Sequence, residues 1–100
     1  MFVAHAHTLA VARSSIAELA DTALTCEAST SYEEALAALD LIHGDRVPAI
    51  NSVLIRGDDT RKLFVSAVGS VTRLREYGVD PLHIDLVLAM LGEAHEMDQC

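Results

Sequence analysis

A chain of 100 residues with a formal net charge of −8 has room for one domain, residues 1–100, and for a core of limited size. It is 51% hydrophobic, but 15 of those residues are alanine and only Phe2, Phe64, Tyr32 and Tyr77 are aromatic, so each helix or strand buries little area by itself. Two cysteines, Cys26 and Cys100, exclude a disulfide framework, and no apolar run reaches the roughly 18 residues of a membrane span.

The punctuation of the chain predicts a compact all-α bundle of four to five helices, the first and last being longest. Phe2, Leu9, Ile16 and Ala23 recur every seven residues, and His5, Ala12, Leu19 and Cys26 fill the intervening turns. Together they predict a first helix with an apolar seam through Cys26, which places that thiol as a small buried hydrophobe. The small residues Ala28–Ser31 then interrupt the pattern. Ser31 and Glu34 have the spacing of a capping box, which predicts a second helix from Tyr32 to His43, ended by Gly44.

Pro48 predicts the start of a short third helix reaching Arg56. A fourth helix is expected from Thr60 to Tyr77, with Phe64, Ala67, Val68, Val71 and Leu74 inward. Gly69 inside it costs about 1 kcal/mol relative to alanine, a cost that a close helix contact would offset. Asp80-Pro81 opens a fifth helix to about Met97. The run Leu82, Ile84, Leu86–Leu91 covers most of its circumference, so this helix is read as buried by the fold or by a partner. The tail Asp98-Gln99-Cys100 is expected to fray.

Chemistry-bearing residues are scattered. His5 and His7 form an H-x-H pair, but on a helix their side chains diverge by about 200° and do not share a metal. Among Glu93, His95, Glu96, Asp98 and Cys100 only Glu96 and Cys100 stand four apart, which is not the two-histidine spacing of a helical zinc motif, and His83 has no histidine partner at that spacing. No nucleophile elbow, P-loop or dinucleotide fingerprint is present. The attachment serine of an acyl carrier protein is also missing. Arg56-Gly57-Asp58 is explained by a helix stop followed by a helix cap. These absences predict neither cofactor nor metal, and favour a non-enzymatic role.

Charge is segregated. Residues 1–45 carry one positive and seven negative charges, residues 46–75 six positive and two negative, and residues 76–100 six negative charges only. The basic stretch suggests one alternative, a helix-turn-helix DNA reader using the helix 60–77. A pI near 4.8 opposes phosphate binding and makes nucleic acid a poor partner. A small ligand- or metal-binding bundle is a further alternative. The preferred expectation is a cytoplasmic protein–protein interaction module with no membrane association, of the regulatory, adaptor or immunity/antitoxin kind. The segment Met1–Ala12 lacks the basic region of a signal peptide. Its steering charges would be Glu18, Asp21, Glu27, Glu33, Glu34 and Asp40, facing a partner with a basic surface. The apolar last helix and the small-residue seam of the first also predict a homodimer.

Overall fold

Four α-helices account for most of the described chain: α1 (Val3–Thr22), α2 (Cys26–His43), α3 (Thr60–Arg73) and α4 (Pro81–Gln99). They are seen in a computed structural model that describes residues 3–44, 47–50 and 59–99. The all-α expectation therefore holds, with α1 and α4 the longest helices. The expected helix from Pro48 to Arg56 falls largely outside the described residues, and residues 47–50 are not helical.

The first boundary differs from the sequence reading. The break comes at residues 23–25, and Ser31 lies inside α2 rather than before it. Thr25 is the N-cap, with its hydroxyl accepting from the Ala28 N–H at 3.0 Å. This places Ala28, Tyr32, Ala35 and Leu39 in one buried stripe along α2. Cys26 becomes the first residue of α2 and is exposed, so it is not a core residue. Ser29 ties the turn down by donating to the Ala20 carbonyl at the end of α1, a group left without an intrahelical partner.

The later boundaries follow the sequence closely. Asp59 caps α3 through the Arg61 N–H. A 3-10 turn at Leu74–Tyr77 then leads into Gly78, whose φ of +87° is the left-handed conformation that favours glycine. Asp80 accepts from the Leu82 N–H as α4 begins. At the far end α4 does not fray at Asp98: that carboxylate is buried and accepts the Leu24 N–H at 2.8 Å.

Contacts between helix ends give the directions. His5 near the start of α1 meets His43 at the end of α2, and Leu24 before α2 meets Asp98 at the end of α4. Phe64 near the start of α3 stacks on His95 near the end of α4. Thus α1 is antiparallel to α2, α2 to α4, and α3 to α4, while α2 and α3 run the same way. Leu9, Ala12, Ile16 and Leu19 of α1 form the centre of the core. Tyr32 and Leu39 of α2, Leu63 and Val71 of α3, and Ile84, Val87 and Leu91 of α4 close around them. Serines sit where α1 meets α3, and Ser15 and Ser66 exchange a hydrogen bond at 3.1 Å. No helix among the described residues is long and apolar enough to cross a membrane.

Candidate functional surfaces

The buried stripe of α4 is narrow. Ile84, Val87, Leu91 and Ala94 are fully buried, whereas Leu82 is 76% and Leu86 54% exposed. The near-continuous apolar run therefore does not place Leu86 in the core. Three helical turns of one helix supply both a core stripe and an outward apolar stripe, the latter flanked by Asp85 and Glu93. On α2 the outward side carries Glu27, Thr30, Glu33, Glu34, Ala37 and Leu41. An open groove runs between the start of α2 and the end of α4, lined by Cys26, Glu27, Thr30, Ser31, Glu34 and Met97.

The six acidic residues singled out from sequence do not behave alike. Asp21, Glu27, Glu33 and Glu34 are exposed, and Glu18 is half-buried. Among the described residues none of these five forms an ion pair. Asp40 does: both its oxygens accept from the Arg13 guanidinium, which also donates to the Pro48 carbonyl. Asp40 is thus already neutralised by α1.

The basic stretch is similarly divided. Arg75 pairs with Asp85 of α4, while Arg61, Lys62 and Arg73 face solvent on α3. The helix that would precede a DNA-reading helix falls largely outside the described residues, and its expected start at residues 48–50 is not helical.

The histidines meet partners that sequence reading did not pair. His5 and His7 separate, as expected for i and i+2 on a helix, with His7 exposed. His5 turns inward, and its Nε2 lies 3.2 Å from Nε2 of His43. Nδ1 of His43 is 3.0 Å from the Leu39 carbonyl, which only accepts, so Nδ1 carries the proton and Nε2 of the neutral ring is a lone pair. The His5 ring also stacks on Tyr77, with centroids 5.0 Å apart and planes within 6°. Burial first, and the neighbouring His43 charge second, lower the pKa of His5 below the ordinary imidazole value.

The C-terminal candidates do not converge. His95 stacks on Phe64 with centroids 4.1 Å apart, Glu93 and Glu96 are exposed, and Asp98 is engaged by Leu24. His83 is exposed in the first turns of α4. Among the described residues no three His, Cys, Asp or Glu side chains gather into a ligand set.

Comparison with protein-family models, with curated proteins and with solved structures finds no match to this chain.

Proposed function

We propose that this protein is a non-enzymatic protein–protein interaction module, a small acidic helical protein of the regulatory, adaptor or immunity/antitoxin kind. The observation that carries the reading is the outward apolar side of α4. Leu82 and Leu86 stand one turn apart on an ordered helix and remain in water. Leaving a leucine exposed forgoes about 1.5–3 kcal/mol of burial, which a partner's surface can recover. Free carboxylates at Glu27, Glu33 and Glu34 on α2 add a negative field that draws a basic partner at range, with Glu18 and Asp21 contributing from α1. Asp40 contributes least, because Arg13 cancels its charge.

The simplest use of an apolar helix face is an isologous contact with a second copy, which makes a homodimer part of this proposal. Sedimentation at micromolar concentration tests it, comparing the natural chain with the double variant Leu82→Glu/Leu86→Glu. Association of the natural chain, lost in the variant while helicity is retained, supports the reading. A monomer of 10.7 kDa in both cases removes self-association from it. For a heterologous partner, Glu33→Gln/Glu34→Gln should slow association and weaken its dependence on salt, leaving dissociation nearly unchanged.

A further inference from the structure

We infer that His5 and His43 form a binding site for a single transition-metal ion of the zinc, copper or nickel class, clamping the start of α1 to the end of α2. Imidazole nitrogens ligate such ions at about 2.0–2.1 Å, and with Nε2 atoms 3.2 Å apart this gives an N–metal–N angle of about 100–106°, close to tetrahedral. The spacing needs no movement of either helix.

The surroundings of the pair favour ligation over a bare hydrogen bond. The Leu39 carbonyl fixes the proton of His43 on Nδ1, the outer contact that commonly orients a metal-bound histidine, and it leaves the Nε2 lone pair directed at His5. Stacking on Tyr77 holds the second ring in place. Without metal, the Nε2–H of His5 donates to Nε2 of His43. Binding requires only that His5 move this proton to its own Nδ1, so both rings stay neutral and no net proton is released. Hard cations such as magnesium, which prefer oxygen ligands, are disfavoured because both protein donors are imidazole nitrogens.

Among the described residues the protein supplies two ligands, and water can complete the coordination. Two imidazoles on separate helices give a modest, exchangeable affinity rather than a structural metal site. The site therefore responds to the metal supply, and an occupied site stabilises the antiparallel α1–α2 pair.

Zinc titrated into tag-free, chelator-stripped protein at mildly alkaline pH tests the inference. One ion should bind per chain, the unfolding midpoint should rise, and magnesium should do neither. In ¹⁵N spectra of the natural chain, Nε2 of His5 and of His43 should shift, while the nitrogens of His7, His83 and His95 should not. His5→Gln and His43→Gln should each weaken binding more than tenfold, and His7→Gln should leave it intact. The spectra decide the matter even if a variant folds poorly. Shifts confined to other histidines, undiminished binding in either of the first two variants, or no shift in a large excess of zinc would each overturn the inference.

Discussion

Arg13 of α1 holds Asp40 of α2 through two parallel hydrogen bonds, Nε to Oδ1 at 2.7 Å and Nη2 to Oδ2 at 3.1 Å. The fork matches the carboxylate, and the Arg13 side chain is only 11% exposed against 30% for Asp40. Such shielding makes the pair unlike an ordinary surface salt bridge, whose contribution is small. Asp40→Ala leaves a largely buried guanidinium without its counter-charge and should cost about 1–3 kcal/mol by urea denaturation. Glu33→Ala, on the same helix but facing solvent, should change stability by less than about 0.5 kcal/mol. Equal effects from the two variants would mean the Arg13–Asp40 contact is not maintained in solution.

The helix cap gives a second contrast. Thr25→Ala removes the hydroxyl that accepts from the Ala28 N–H and should cost roughly 0.5–2 kcal/mol. Ser31→Ala removes a residue inside α2, where alanine has the higher helix propensity, and should be neutral or slightly stabilising. Thermal denaturation of both variants suffices. The reverse order would move the start of α2 to Ser31.

Position along α4 decides the cost of a buried charge. Val87 is fully buried, so Val87→Asp places a carboxylate in the core at several kcal/mol, a large share of the stability of a domain this size. Leu86→Asp, one residue earlier, leaves its carboxylate in water and should retain a cooperative fold with a small loss. Circular dichroism and denaturation of the two proteins read this directly. A native-like Val87→Asp protein would contradict the burial of this face.

Gly69 lies within α3 but makes no close contact with another helix: a Cβ built there meets no atom of the described residues within 4 Å outside its own stretch of α3 backbone. The glycine borders an open groove with Val11, Ser66, Ser70 and Arg73. Its propensity cost is therefore not offset by packing, and Gly69→Ala should stabilise the protein by about 0.5–1 kcal/mol. A loss of stability would instead indicate that something closes on α3 at this point.

These contrasts mark what the residues alone could reveal. Gly44, Asp59, Gly78 and Asp80 carry their boundary signals locally, and the helices begin and end where those residues indicate. The α1–α2 break was harder to read, because Thr25 and Ser31 are both competent caps and only Ser31 has the glutamate of a capping box. Burial decides between them: starting α2 at Cys26 lets Ala28 join the stripe of Tyr32, Ala35 and Leu39. In α4 the apolar residues cover most of the circumference, so composition could not show which side the other helices occupy. The meeting of His5 and His43 is a tertiary fact across 38 residues. A clue existed, since His5 falls on the apolar seam of α1 and His43 lies in the last turn of the following antiparallel helix.

Tyr32 should make the protein sensitive to alkali. Its ring is fully buried in the core, and among the described residues its hydroxyl has no hydrogen-bond partner. Burial first, and the charge of Asp98 second, raise its pKa from 10.0 to about 12. The folded state thus keeps its proton at a pH where the unfolded chain has lost it. The resulting stability is complete below pH 10 and is lost as pH rises through about 12. Tyr32→Phe removes this linkage and also the burden of an unpaired buried hydroxyl, so at neutral pH the variant should match or exceed the natural chain. Groups common to both proteins cancel in the comparison. By pH 11 the natural chain should have lost on the order of 1 kcal/mol relative to the variant. Urea denaturation of both proteins from neutral pH to pH 11 measures the difference, and parallel stability curves would show that Tyr32 ionises as freely in the folded protein as in the unfolded chain.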